Sequence, residues 1–246
     1  MNIINKIKKI SSGLYKNKKI IQKSEDAYNN WAEFYDNEQH NLVLHYDNII
    51  LKELIFNVQL KDKIIFDYGC GTGRIWPLLL DKNPKKIIGC DISQMMLNKL
   101  KEKYTNAEVY KVNDSELSFL QDNSCDIIIS TLVIAHVADI EKMFSNWERI
   151  LKDKGDIIIT DFHPKLLAKG GARTFKNSGD VINIENYIHN IESIEAILSR
   201  FRFKVLNRIE KKIDINVKQF YERRNAIKIY KKFYNTPFIY GIHFSR

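Results

Sequence analysis

Between residues 63 and 162 the chain repeats one unit, a short run of branched apolar residues followed by a helix-length amphipathic stretch. Few folds accommodate that alternation: such runs pair side by side as a parallel sheet, with the intervening segments crossing back over its faces as helices. Strands are expected at 63–67 (KIIFD), 86–91 (KIIGCD), 108–112 (EVYKV), 125–130 (CDIIIS) and 155–161 (GDIIITD), with helices near 74–81, 93–103 and 139–151. Ile64-Ile65-Phe66 and Ile127-Ile128-Ile129 are apolar on both faces, as strands buried between two helix layers are. Further on, a helix near 190–200, a strand at 203–209, a basic aromatic helix near 216–234 and a last strand at 237–244 complete the pattern. The expected architecture is a doubly wound α/β domain with a seven-stranded sheet, five strands parallel and a C-terminal pair antiparallel.

The flanks are different. Residues 24–58 read as two helices, with Ser24 as the cap of the first and Tyr28, Trp31, Ala32 and Tyr35 recurring at intervals of three and four. Residues 163–189 break the alternation with Gly170-Gly171 and Ser178-Gly179, so a loop or small hairpin inserted beside the carboxyl end of the sheet is expected. The domain division that follows is a basic extension at 1–23 and one domain at 24–246. Within that domain, 24–58 is a helical lid, 59–162 the ligand-binding core, 163–189 a substrate insertion and 190–246 the rest of the sheet.

Charge is divided in the same way. Of the net +9, residues 1–23 hold seven Lys and no acid, and 204–232 hold ten Lys and Arg against three acids. The block at 24–203 is therefore acidic, which argues against a uniformly basic nucleic-acid binder. Ile3, Ile7 and Ile10 beside Lys6, Lys8 and Lys9 form a short basic amphipathic helix that Ser11-Ser12-Gly13 ends, suited to an anionic surface or simply solubilising. No apolar run is long enough to span a bilayer, and the N-terminus does not read as a secretory signal, so a cytoplasmic location is expected. Cys70, Cys90 and Cys125 form no CxxC pair, and His136 and His163 have no ligand-like spacing to nearby acids, so no disulfide framework and no metal are expected.

The most specific local signal is Ile64-Ile65-Phe66-Asp67-Tyr68-Gly69-Cys70-Gly71-Thr72-Gly73-Arg74. A buried strand runs into three alternating glycines and then a helix, where backbone N–H groups face a ligand that no Cβ blocks. Arg74 stands where a dinucleotide fingerprint needs its third glycine, which counts against a nicotinamide oxidoreductase. Asp91 ends the next strand, at the place where such folds bond the ribose hydroxyls. Asp67 would repel a pyrophosphate and attract an ammonium. Adenosine joined to methionine through a sulfonium suits both acids.

With DYGCGTG at 67–73, GCDIS at 89–93, NDSELSF at 113–119, DNSCDIIISTLVIAHVAD at 122–139 and ILKDKGDIIITDF at 150–162, the sequence resembles the class I S-adenosylmethionine-dependent methyltransferases, in particular those that methylate small molecules. The resemblance implies a Rossmann-like fold, S-adenosylmethionine as cofactor and S-adenosylhomocysteine as product. By it, Asp67, Gly69, Gly71 and Gly73 cradle the methionine part, Asp91 and Ile92 hold ribose and adenine, Asp114 and Ser115 meet the adenine amino group, and Thr131 and Leu132 line the methionine end. It also implies a lid over the cofactor from Tyr28, Trp31 and Tyr35, for which plain packing on the sheet is the alternative.

Methyl transfer from a sulfonium needs alignment above all, an effect worth up to about 7–11 kcal/mol. Where a hydroxyl or protonated amine is the acceptor, a proton must leave, and His136 and His163, both past strand ends, are the candidate bases. Tyr35, Arg173, Tyr187 and His189 are candidates to contact an acidic or aromatic acceptor, although a solvated loop is the simpler expectation for Arg173. The expected activity is methyl transfer to oxygen or nitrogen of a small molecule or short peptide. The basic aromatic segment at 211–234 keeps a tRNA methyltransferase open as the alternative. A non-catalytic cofactor-binding module is a third reading, against which the intact glycine loop and Asp91 count.

Overall fold

The computed structural model describes residues 20–37, 41–113, 117–177 and 180–246; the basic helix expected around Ile3, Ile7 and Ile10 lies outside them, as do the rest of the basic extension before Ile20 and Asp114 and Ser115. The described chain opens with strand β1 (Ile20–Gln22) and helices α1 (Ser24–Trp31) and α2 (Leu42–Ile55). Lys23 rather than Ser24 is the residue before α1, and no side chain caps that end. Asn41 does cap α2, its side chain accepting from Val43 N at 3.0 Å.

The alternating core follows as β2 (Ile64–Tyr68), α3 (Trp76–Leu80), β3 (Lys86–Asp91), α4 (Gln94–Lys103), β4 (Glu108–Lys111), β5 (Cys125–Thr131), α5 (Ile140–Ile150) and β6 (Leu151–Phe162). Ser93 caps α4 and Asp139 caps α5 through bonds to Met96 N and Lys142 N. The insertion then forms α6 (Pro164–Ala168) and a hairpin of β7 (Thr174–Asn177) and β8 (Asp180–Ile184). It is followed by α7 (Ile191–Arg200), β9 (Lys204–Lys212), α8 (Lys218–Arg223), α9 (Ile227–Phe233) and β10 (Pro237–Ser245).

The main sheet runs β4-β3-β2-β5-β6-β10-β9, with β10 antiparallel to both neighbours and the five strands from β4 to β6 parallel. Side chains alternate between two cores. Ile65, Ile127, Ile129 and Ile158 face a layer containing Ile50 and Leu54 of α2, whereas Phe66, Ile128, Ile157 and Ile159 face Phe144 and Trp147 of α5. Strand order reverses between β2 and β5, and at such a switch point the loops past the two strands part to leave a crevice.

The expected long helix near 216–234 is two helices, separated where Asn225 takes φ of +53°. Tyr230 and Phe233 are buried and Phe220 and Tyr221 pack on the core, so most aromatics of this segment face inward while its cations face solvent. A second, three-stranded sheet joins the end of the expected basic extension to the insertion: β1 pairs in parallel with β8, which pairs with β7. Trp31 of α1 stacks on Phe175 of β7 with centroids 4.9 Å apart, uniting lid and insertion in one layer. Among the described residues no helix is long and apolar enough to cross a membrane, and no group of three or more His, Cys, Asp or Glu could hold a metal ion.

Candidate cofactor and acceptor site

The glycine loop is shaped by one carbonyl. Cys90 O, near the end of β3, accepts from both Gly69 N at 2.8 Å and Cys70 N at 2.9 Å, which folds the loop over the sheet. Gly69 has φ of +76°, and a Cβ there would stand 2.2 Å from Val133 Cγ2. Gly71 has φ of +53°, and its added Cβ would meet nothing nearer than Asp91 Oδ2 at 4.0 Å, so it would enter the crevice itself. Asp91 closes the turn: Oδ2 accepts from Gly71 N and Oδ1 from Ser93 N, each at 2.8 Å. Burial pushes its carboxyl up to about 6 despite these backbone bonds.

These groups border a cavity of about 440 Å³ past the ends of β2, β3 and β5. Of the residues singled out from sequence, Tyr28, Tyr35, Gly69, Gly71, Asp91, Ile92, Thr131, Leu132 and His136 line it. Leu132 reaches its place with φ of +61°, a rare conformation for a side-chain-bearing residue, held by its N–H bond to Thr160 O at 2.7 Å. Sequence reading passed over Tyr68, Met96, Asn113, Val133 and Lys142, which also border the cavity. Tyr68, Asn113 and Val133 lie within the quoted motifs, whereas Met96 and Lys142 carry no local signature and reach the cavity only through the fold.

Other expected site residues stand elsewhere. The Asp67 carboxylate lies under the loop and accepts from Trp76 Nε1 at 2.8 Å, and burial pushes it up to about 7. Gly73, with φ of +74°, makes room for Leu100 of α4. His163 caps α6, accepting from Lys165 N through Nδ1, while Nε2 lies 3.2 Å from Glu210 Oε2; burial lowers its pKa. Tyr187 N bonds Ala135 O at 2.7 Å, and His189 Nε2 bonds Val137 O at 2.8 Å, so both brace the turn that carries His136.

His136 sits in the 3-10 turn Ile134–His136 at the cavity wall. Its Nδ1 lies 2.8 Å from Glu185 O. A carbonyl only accepts, so Nδ1 carries the proton and Nε2 accepts from the Tyr28 hydroxyl at 3.1 Å. Burial lowers this imidazole to about 4, keeping it neutral. Arg173, far from being solvated, is 3% exposed and donates from Nη2 to the Tyr35 hydroxyl at 3.1 Å. Arg74, which takes the glycine's place in the loop pattern, pairs with buried Asp47 and donates to Thr131 Oγ1 at 3.3 Å. Asp47 also accepts from Thr160 Oγ1, so α2, the loop, β5 and β6 share one buried ionic knot. A lone acid on the apolar face of α2, between Tyr46 and Ile50, was the available signal for it.

The crevice suits an adenosyl ligand: a carboxylate at the ribose position, a loop whose missing Cβ atoms leave the backbone open, and a volume in the usual range for cofactor sites. Residues 66–159 match the family model described as "Methyltransferase domain". The chain is 32% identical over 212 residues to a ubiquinone/menaquinone biosynthesis C-methyltransferase of Campylobacter jejuni, covering 77% of this chain and 87% of that one. It is 24% identical over 219 residues to a malonyl-[acyl-carrier protein] O-methyltransferase of Marinomonas, covering 87% and 74%. The fold superposes on magnesium protoporphyrin IX methyltransferase from Synechocystis, solved with bound S-adenosylhomocysteine, with a TM-score of 0.60 at 19% identity, covering 90% of this chain and 97% of that one. With fold, crevice and relatives in agreement, the chain belongs to the class I S-adenosylmethionine-dependent methyltransferases and takes S-adenosylmethionine as its cofactor.

Proposed function

We propose that this enzyme methylates oxygen or nitrogen of a small molecule or short peptide by in-line displacement. The observation that carries the reading is that the glycine loop, Asp91 and the Tyr28–His136 pair all border one cavity beneath a layer built from the N-terminal helix and the insertion. A cavity of that size and aromatic lining suits a compact acceptor better than a duplex or a folded RNA. By their names, curated relatives methylate oxygen in one case and carbon in another, each on a discrete metabolite or carrier-bound acyl group.

When bound, S-adenosylmethionine would supply an electrophilic methyl group, whose carbon–sulfur bond breaks as an acceptor lone pair bonds to the methyl carbon, leaving S-adenosylhomocysteine. The protein's part is placement and water exclusion. Asp91 and Ile92 hold the ribose and adenine. Gly69 and Gly71 leave the loop open to the methionine part, and Thr131 and Leu132 line its far end. His136 keeps an unprotonated Nε2 in contact with the Tyr28 hydroxyl, so a proton leaving an acceptor hydroxyl or ammonium has a relay at the wall. Helices at 24–58 and the insertion at 163–189 set acceptor specificity, and 24–246 acts as one domain.

The test is incubation with methyl-labelled S-adenosylmethionine and a panel of small molecules, peptides and bulk tRNA, beside Asp91→Ala. Label in the small-molecule or peptide fraction, lost in the variant, is the expected result. Label confined to tRNA overturns the reading in favour of RNA.

A further inference from the structure

Arg173 is a buried cation with almost nothing to answer it. Its Nη2 donates to the Tyr35 hydroxyl at 3.1 Å, but Nε and Nη1 are buried without a partner, and among the described residues it forms no ion pair. The guanidinium lies 5.0 Å from the Trp31 ring centroid and 5.7 Å from that of Tyr35, contacts that favour a cation without neutralising it. Arg74, within electrostatic reach of both Tyr35 and Arg173, likewise leaves Nη1 without a partner.

Nearby acids are already committed. Asp47 divides its oxygens between Arg74 and Thr160 Oγ1. Asp161 accepts from Ala135 N at 2.7 Å through one oxygen and from Phe162 N at 2.6 Å through the other. Burial also pushes the Asp161 carboxyl up to about 7, which removes part of its charge at neutral pH. Two guanidiniums thus share one dedicated carboxylate. A buried arginine that serves only packing is normally paired and fully hydrogen-bonded, so this one is poised for an anion the protein does not supply.

The cluster adjoins the cavity, since Tyr35 and Thr131, the bonding partners of the two arginines, both line it. We propose that the methyl acceptor is an organic carboxylate, anchored by Arg173 with help from Arg74 at the position the Tyr35 hydroxyl now holds. The inference rests on the methyltransferase reading of the same cavity. A guanidinium fork matches carboxylate geometry, and the surrounding rings of Tyr28, Trp31, Tyr35 and Phe175 suit an aromatic or aliphatic body rather than a heavily hydrated one. A dianionic phosphate would lose more hydration on entering so enclosed a place.

The experiment uses the full chain saturated with S-adenosylhomocysteine and titrates benzoate and octanoate against benzamide, octanamide and phenyl phosphate. The carboxylates are expected to bind about tenfold or more tightly than their amides, the ratio that charge-assisted hydrogen bonds imply. Arg173→Gln should abolish that preference while S-adenosylhomocysteine still binds, and Arg173→Lys should restore part of it. Equal binding of acids and amides, no binding of either carboxylate at millimolar concentration, a preference for phenyl phosphate, or an undiminished preference in Arg173→Gln overturns the proposal. Because the acid-to-amide comparison needs only the unaltered protein, a variant that fails to fold does not spoil the test. Failure of S-adenosylhomocysteine itself to bind the unaltered protein would instead sink the underlying methyltransferase reading.

Discussion

The Tyr28 hydroxyl and His136 Nε2 stand 3.1 Å apart although 108 positions separate them in the chain. Because Nδ1 is tied to Glu185 O, the imidazole presents a lone pair rather than a proton to Tyr28. Tyr28→Phe and His136→Ala should each lower turnover about 10- to 100-fold with little change in S-adenosylhomocysteine affinity. His136 is lowered to about 4, so its protonation should remove activity only as pH falls toward that value. A limb near pH 6.5 in the pH-rate profile that disappears in His136→Ala would contradict this assignment.

Asp91 should make cofactor affinity pH-dependent from the acid side. Its carboxyl, pushed up to about 6, loses charge and an acceptor site as pH falls through that value, so affinity for S-adenosylhomocysteine should fall with it. Asp91→Asn should weaken binding about 10- to 100-fold at neutral pH and flatten the profile, as calorimetric titration between pH 5 and 8 would read.

The glycines separate folding from binding. Gly69→Ala forces a Cβ to 2.2 Å from Val133 Cγ2 at a positive φ, and should destabilise the fold by about 2–4 kcal/mol, partly recovered in the double variant with Val133→Ala. Gly71→Ala meets no close atom and should cost only about 1–2 kcal/mol for its φ, yet abolish cofactor binding. Chemical denaturation and calorimetry on the same preparations distinguish the two effects.

Asp67 should oppose stability at alkaline pH. Burial raises its folded-state pKa to about 7 from an ordinary value near 3.8. The folded protein therefore holds a proton that the unfolded chain releases, a contribution complete below about pH 4 and lost as pH rises through about 7. Asp67→Asn, which can still accept from Trp76 Nε1, should melt closer to the unaltered protein at pH 5 than at pH 8, with the variant gaining as pH rises. A melting difference independent of pH would contradict this.

The exposed cations of α8 and α9 should give tRNA at most weak, unsaturable binding, because Tyr230 and Phe233 are packed inward and unavailable for stacking on bases. Saturable binding at low salt with a steep salt dependence would count for the RNA reading.

Much of the core was legible because its determinants are local. Apolar runs such as Ile127-Ile128-Ile129 declare a two-sided strand, and the glycine spacing and the acid that ends β3 are each written in a few adjacent residues, although the loop and Asp91 meet across 20 positions. Boundaries shifted where tertiary packing prevailed: the basic segment broke at Asn225, and Ser24 entered the helix it was expected to cap. Asp67 shows a different limit, for its position was evident but its partner, Trp76, depended on how α3 settles against the loop.

By itself, the sequence determined the alternating α/β core and the open glycine turn, because strand burial and positive φ are properties of a few adjacent residues. Only the tertiary structure decided the acceptor side. There β1 joins the inserted hairpin, Arg173 meets Tyr35 across 138 positions, and His136 meets Tyr28, contacts that arise when distant segments are packed together and that leave no periodic mark on the chain.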